Sequence, residues 1–175
     1  MKRLRIIIAS LMTLTMLSGC AIVEMFTELA TKESITNERF VELAESNFME
    51  VQDQTDNAKE SIGEDKVSAC SLAIYNFTTD DGEAHAFGIE FYEFTDDIYA
   101  VDYYAEMAEE FERRYESLSS KYKFTASGQN YNTWQGTSER SWSIVSRVDN
   151  TCIFIDILNA DYTPANEFVK SIGYY

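Results

Sequence analysis

Residues 141–158 read SWSIVSRVDNTCIFIDIL and carry the clearest secondary-structure signal in the chain. Apolar residues alternate with other residues on both sides of Asp149-Asn150, a pair that suits a two-residue turn. The pattern predicts one strand from Ser141 to Val148 and a return strand from Thr151 to Leu158. A hairpin of this kind indicates an antiparallel sheet.

A second hairpin is predicted upstream, where strands from Lys66 to Phe77 and from His85 to Thr95 flank a turn. The turn contains Asp81-Gly82, and glycine supplies the positive φ that a tight hairpin needs. Aromatic residues fall on both faces of the return strand, so this strand should be covered on both sides. A further strand is predicted from Tyr122 to Ala126, with an extension after Gly128 through Tyr131 and Trp134.

Three helices are predicted from apolar residues at helical spacing and from the capping residues before them. The longest carries its charged residues mainly on the flanks and far side of an apolar stripe, so it should lie on the sheet. The polar segment 52–66 is predicted to be a loop. The helices begin at Thr36, extend from about Asp96 to Leu118, and begin again at Thr163, with Pro164 in the first position.

The predicted order of elements is therefore α-β-β-α-β-β-β-α. Hairpins joined by helices indicate an α+β fold, with helices packed on a mainly antiparallel sheet of about five strands. No internal repeat, low-complexity run or Pro/Gly-rich linker interrupts the later chain. We expect residues 34–175 to form a single α+β domain.

Two resemblances accompany this prediction. From Phe87 onward, the order of a strand, a long helix, three meandering strands and a terminal helix resembles the PsbP/Mog1 type of sandwich. Stretches such as Ile89-Glu90-Phe91-Tyr92 and Val145 to Thr151 (VSRVDNT) are similar to uncharacterised small lipoproteins of Gram-positive bacteria. The resemblances imply a fold and a cellular compartment, and no activity comes with them.

The amino terminus has the layout of a secretory signal. Three basic residues within positions 2–5 precede an apolar run from Ile6 to Leu17, which is shorter than the roughly 20 residues of a membrane span. The run ends at Leu17-Ser18-Gly19-Cys20, which resembles the lipobox of bacterial lipoproteins. The resemblance implies removal of residues 1–19 as a signal peptide and lipidation of the Cys20 thiol. Acyl chains would then hold the protein on the extracytoplasmic side of the cell membrane.

An uncleaved signal anchor and an ordinary signal peptide with a chance cysteine are the alternatives to lipidation. Residues 20–33 are mildly amphipathic and are expected to tether the domain to the membrane.

The chain is strongly acidic. Removal of residues 1–19 would leave 156 residues and change the formal net charge from −16 to −19. Such a domain is repelled by nucleic acid, so no nucleic-acid partner is expected. The charge allows a cationic protein or cell-wall partner without demanding one. The favoured explanation is that acidity keeps an exported domain soluble.

Cys70 and Cys152 remain once Cys20 is committed to lipid, and each lies inside a predicted strand. One interpretation is a disulfide between the two cysteines, which can form outside the cytoplasm. The alternative is two buried, reduced cysteines that act as small apolar residues.

The sequence offers no constellation of catalytic residues. His85 is the single histidine, at a strand start beside a turn, and it is expected to be a surface residue. A zinc site needs three or four ligands, and no second histidine exists to contribute. There is no Gly-x-Ser-x-Gly elbow and no Gly-rich phosphate loop. We therefore predict no catalytic residue, no metal site and no cofactor.

Tyr131 and Trp134 are the candidate ligand contacts, because they are embedded in the polar stretch from Asn130 to Gly136. Aromatic rings offer apolar area while nearby amides offer hydrogen bonds, a combination that suits carbohydrate or peptide. The favoured alternative is an edge strand whose rings cover the end of the sheet.

Three functional hypotheses follow. The first is a non-catalytic, membrane-anchored binding or accessory domain outside the cell. The second is an acidic inhibitor or immunity-like lipoprotein that sequesters a cationic protein. The third is an exported enzyme with an unfamiliar site.

Overall fold

The computed structural model describes residues 30–78, 82–116 and 121–174. Within them, seven strands form one antiparallel sheet, namely β1 (Glu50–Asp53), β2 (Val67–Thr78), β3 (Ala84–Phe94), β4 (Lys121–Ser127), β5 (Tyr131–Ser138), β6 (Ser141–Val148) and β7 (Thr151–Leu158). Their order across the sheet is β1-β2-β3-β7-β6-β5-β4.

Four α-helices accompany the strands in the described part of the chain, namely α1 (Asn37–Ser46), α2 (Thr55–Ile62), α3 (Asp97–Glu116) and α4 (Tyr162–Ser171). A short 3-10 turn, Asn159–Asp161, leads into α4. Because of this turn, α4 begins earlier than the predicted cap at Thr163. The N-cap of α1 is Thr36, as predicted, and its hydroxyl accepts a hydrogen bond from the Arg39 amide at 3.2 Å.

The α+β class and the antiparallel sheet are confirmed, but the predicted count of five strands is wrong. The loop predicted over 52–66 begins within β1 and contains α2. In addition, the strand predicted from Tyr122 is a hairpin of two strands, which turns at residues 128–130. The hairpin of β6 and β7 has the predicted bounds, and Asp149 takes a positive φ of 50° in its turn.

Helices α1 and α4 cover one side of the sheet, here called the first face. Phe40 of α1 stacks on Phe91 of β3 with ring centroids 4.6 Å apart. Phe168 of α4 meets the Phe40 ring edge-on at 6.0 Å. The largest cluster of buried apolar residues lies here, so this face forms the main core.

Helices α2 and α3 cover the opposite side, here called the second face. Two smaller apolar clusters lie beneath them. One includes Ala58 of α2 and Ala100 of α3 with Phe94 of β3. The other joins Phe111 of α3 to Trp134 of β5, with ring centroids 5.1 Å apart. Strand β3 is therefore covered on both sides, as its aromatic residues predicted.

The register of the sheet excludes a disulfide between Cys70 and Cys152. Cys70 on β2 and Cys152 on β7 both lie opposite Tyr92 of β3, one on each side of it. Two strand spacings separate them, so their Cα atoms are roughly 10 Å apart. A disulfide holds its Cα atoms within about 4.4–6.8 Å. Both cysteines are buried and carry free thiols.

We expect both thiols to react with iodoacetamide in denaturant without any reductant, and to react slowly in the native protein because they are buried. Peptide mass spectrometry of the alkylated chain checks this. A linked peptide that contains Cys70 and Cys152 would contradict the register.

Candidate functional site

The two predicted ligand contacts lie on opposite faces of the sheet. Tyr131 and Trp134 are three residues apart on β5, and successive strand residues alternate between faces. Tyr131 packs into the main core and is 7% exposed, while Trp134 packs under α3 and is 3% exposed. Both rings are buried, so the predicted ligand contacts at Tyr131 and Trp134 are wrong. Strand β5 lies inside the sheet, so the edge-strand alternative is also wrong.

The surroundings of Trp134 are those of a core residue. Its indole Nε1 donates a hydrogen bond to Glu112 Oε2 at 2.9 Å, and Tyr115 meets its ring edge-on at 5.3 Å. With its donor satisfied and its ring enclosed, the indole leaves no free surface for a ligand.

A different place on the second face has the properties of a binding site. A cavity of about 230 Å³ opens between α2 and the sheet. It combines amides and a hydroxyl from the helix side with a carboxylate and an aromatic ring from the strands. Its lining consists of Gln54, Asn57, Ala58, Ser61, Cys70, Leu72, Glu90 and Tyr92.

Helix α2 supplies the polar wall of this cavity. Gln54 is the N-cap residue of α2, and Asn57 Nδ2 donates a hydrogen bond to Gln54 Oε1 at 2.6 Å. The Ser61 hydroxyl donates back to the Asn57 carbonyl at 3.0 Å. Because its proton is used inside the helix, the Ser61 oxygen can only accept a hydrogen bond from a ligand.

Glu90 is the charged residue on the sheet side of the cavity. Its cross-strand neighbours are the apolar residues Leu72 on β2 and Phe154 on β7. Within the described ranges, no lysine, arginine or histidine lies within 4.0 Å of its carboxylate. A partly buried carboxylate without a cation is unfavourable in an apolar layer. Its position in the lining of a cavity with several hydrogen-bonding groups makes Glu90 a candidate for contact with a ligand.

Tyr92 holds the Glu90 carboxylate, and Tyr103 packs beside Tyr92. The Tyr92 hydroxyl donates a hydrogen bond to Glu90 Oε2, and the ring of Tyr103 on α3 packs against the Tyr92 ring. The Tyr92 and Tyr103 ring centroids are 4.7 Å apart. Burial raises the pKa of both tyrosines, and the nearby Glu90 charge adds to that effect. Both phenols therefore stay protonated at neutral pH, and Tyr92 serves as the donor to Glu90.

Cys70 borders the same cavity as a protonated thiol. Burial raises the pKa of the Cys70 thiol to about 12, and the charge of Glu90 acts in the same direction. The thiolate is the reactive form of cysteine, so this side chain is a poor nucleophile. It contributes an apolar surface to the cavity.

A second cavity of similar volume borders the first, and Ser61 lines both. Here Lys66 Nζ lies 5.7 Å from the centroid of the Tyr99 ring, and Asp102 and Glu106 of α3 complete the polar rim. The first cavity lies between α2 and the sheet, and the second lies between α2 and α3.

The single histidine is half-buried, which corrects the expectation of a surface residue. His85 Nδ1 lies 2.9 Å from Asp161 Oδ1, and the Asp161 side chain is almost fully buried. Glu83 lies 3.8 Å from His85 Nε2. The contact between His85 and Asp161 connects the start of β3 to the turn before α4. No group of three or more potential metal-ligating side chains gathers anywhere in the described residues.

The segment that precedes α1 contacts the domain at one end of the sheet. Asn130, in the turn between β4 and β5, accepts a hydrogen bond from the Lys32 amide at 3.0 Å and donates one to the Lys32 carbonyl at 2.8 Å. The Ser34 hydroxyl donates to Asp149 Oδ2 at 2.9 Å in the turn between β6 and β7. Residues 30–33 of the predicted tether therefore contact the domain.

Cys20 and the predicted signal peptide lie outside the described residues. No helix in the part of the chain described here is both long and apolar enough to cross a membrane. Comparison with protein-family models, curated proteins and solved structures finds no match.

Proposed function

We propose that the protein is an exported lipoprotein, anchored to the extracytoplasmic side of the cell membrane through lipid on Cys20, whose domain binds a ligand and is not catalytic. The observation that carries the anchor is the sequence Leu17-Ser18-Gly19-Cys20 behind a basic end and a short apolar run. Two or three acyl chains anchor a protein stably, at about 0.8 kcal/mol per buried methylene.

The attachment of the chain to the domain supports this arrangement. Residues 30–34 are held at the sheet end formed by the β4–β5 and β6–β7 turns. A chain between Cys20 and Ala30 extends by at most about 36 Å. An anchor at Cys20 would keep this end of the domain within that distance of the membrane.

The chemistry of the domain supports a binding role. Both thiols are buried, and burial raises the pKa of each, so neither is poised as a nucleophile. The cavity between α2 and the sheet instead presents hydrogen-bonding groups and a carboxylate that accepts a hydrogen bond from Tyr92.

The test of the anchor is the mature amino terminus of the protein isolated from bacterial membranes. We expect mass spectrometry to find a chain that begins at Cys20 and carries acyl groups, and we expect the protein to partition into detergent. Cys20→Ala should remain uncut and unlipidated, whereas the control Cys70→Ala should be processed normally. An unmodified Cys20, or a mature chain that begins elsewhere, would overturn the proposal.

A further inference from the structure

We propose that the cavity between α2 and the sheet binds a primary ammonium group carried on a short unbranched chain, with Glu90 as its counter-ion. The inference deepens the binding half of the proposed function and does not depend on the lipid anchor.

A cation is favoured because no cationic side chain among the described residues lies within 4.0 Å of the Glu90 carboxylate. Its carboxylate lies between Leu72 and Phe154 on the sheet, and its hydrogen-bond partner is the neutral Tyr92 hydroxyl. A cationic ligand would neutralise a charge that the apolar layer otherwise disfavours. The formal net charge of −16 would also favour the approach of cations over anions.

The hydrogen bonds in the cavity favour an ammonium over a guanidinium. Arginine-like groups bind a carboxylate best with two parallel hydrogen bonds, one to each oxygen. The Tyr92 hydroxyl already donates to Oε2, which leaves Oε1 as the oxygen that is open to a ligand. An ammonium has three donors that can point in different directions. Oε1, the Ser61 oxygen and the Gln54 amide oxygen offer acceptors of the required kind.

The rest of the cavity suits the carbon chain of such a ligand. Leu72, Ala58 and the Cys70 side chain provide apolar surface beside the polar groups. The volume of about 230 Å³ is that of a small ligand or of one inserted side chain. A quaternary ammonium would need an aromatic cage, whereas Tyr92 supplies the single ring among the described residues that line this cavity.

Calorimetric titration of the full chain, purified in non-ionic detergent at low ionic strength, tests the proposal with matched probes. We expect n-butylamine to bind, n-butylguanidine to bind about tenfold more weakly, and 1-butanol to give no measurable heat of binding. Equal affinity for butylamine and butanol, or no binding of butylamine, would overturn the proposal, because Glu90 would then be satisfied by Tyr92 and solvent.

Variants locate the binding at the cavity. Glu90→Gln keeps the shape of the side chain and removes its charge, and it should weaken butylamine binding by about tenfold or more. The matched control is Glu60→Gln on the exposed side of α2, which makes the same charge change outside the cavity and should leave affinity within about twofold. Equal effects of the two variants would show that the amine senses only net charge, which overturns the site.

A second variant keeps the test valid if Glu90→Gln does not fold. Ser61→Tyr introduces a large side chain at the mouth of the cavity from the exposed surface of α2, with no change in the sheet. We expect it to reduce butylamine affinity by at least about tenfold and to leave the thermal unfolding midpoint nearly unchanged. Unchanged affinity in this variant would overturn the proposed location.

One further probe distinguishes the source of the ammonium. Nα-acetyl-lysinamide represents a lysine side chain of a protein partner, whereas n-butylamine represents a free small amine. Tighter binding of the lysine derivative assigns the cavity to a protein side chain, and tighter binding of butylamine assigns it to a small amine. Because the titration is independent of the amino-terminal lipid, its failure and a failure of the anchor are distinguishable.

Discussion

Phe91→Ala is expected to lower the free energy of unfolding by about 3–5 kcal/mol. Phe91 is 0% exposed on β3, stacks on Phe40 of α1 at 4.6 Å, and meets Tyr174 edge-on at 5.9 Å. Its removal leaves a cavity at the point where the sheet, α1 and the C-terminal residues meet. Whole domains have about 5–15 kcal/mol of stability, so this loss is a large fraction of the total.

Urea unfolding of a chain that begins at Ala21 measures the effect. Phe48→Ala is the matched control, because Phe48 is 91% exposed and makes the same change of side chain in solvent. Phe48 has a positive φ of 62°, which disfavours phenylalanine and alanine alike. We expect the control to change the free energy of unfolding by less than about 0.5 kcal/mol. Equal effects of the two substitutions would contradict the placement of Phe91 in the core.

Elements with a local signal were predictable from the sequence. The hairpin of β6 and β7 combines alternation along both strands with a two-residue turn, and its bounds agree with the structure. Helix α1 was also predictable from a local signal, because Thr36 caps it and Phe40 faces the core. In these elements, local preference and tertiary packing act in the same direction.

Elements that depend on tertiary contacts were missed. Strand β1 has four residues, of which Val51 alone is apolar, and it exists because β2 offers an edge for pairing. Helix α2 is polar apart from Ala58 and Ile62, and it is held by the cluster beneath it. Short segments of this composition carry too little periodicity to separate them from a loop.

The candidate site was missed because the segment that forms α2 was predicted to be a loop. Glu90 is visible in the sequence as a charged residue between Ile89 and Phe91 of a predicted strand. The cavity around it, however, is closed by α2, in a segment predicted to be a loop. Tyr131 and Trp134 were wrongly predicted as ligand contacts for a different reason. Their polar neighbours in the sequence suggested exposure, whereas helices on both faces of the sheet bury the two rings. Burial of that kind follows from the assembled layers and not from the local sequence.

The second large effect is expected at alkaline pH, where the protein should lose stability as the pH rises above about 9. Burial raises the pKa of Cys70 and of Tyr104 to about 12, and it also raises the pKa of Cys152, Tyr92, Tyr103 and Tyr174. In the unfolded chain the pKa of a thiol is near 9.0 and that of a phenol is near 10.0. Because the folded pKa values are the higher ones, the stabilisation is fully present below pH 9 and is lost as the pH rises toward the folded values.

The size of the loss follows from the number of groups. Each group costs about 1.4 kcal/mol per pH unit between its unfolded and folded pKa, so the two thiols alone remove about 3 kcal/mol by pH 10. The more deeply buried tyrosines, Tyr103 and Tyr174, add to this loss above pH 10, so the slope of stability against pH should steepen there. Urea unfolding at a series of pH values from 7.5 to 11 measures the slope.

Tyr174→Phe isolates one contribution to this slope. The variant keeps the buried ring and removes the ionisable hydroxyl, and Thr151 keeps its hydrogen bond to the Val148 carbonyl at 2.7 Å. We expect its stability to fall less steeply than that of the parent chain above pH 10, with equal slopes below pH 9. The two curves should therefore diverge only where an unfolded tyrosine ionises. Parallel curves up to pH 11 would mean that Tyr174 ionises as readily in the folded chain as in the unfolded chain. That result would contradict the enclosure of Tyr174 by Phe91 and Thr151.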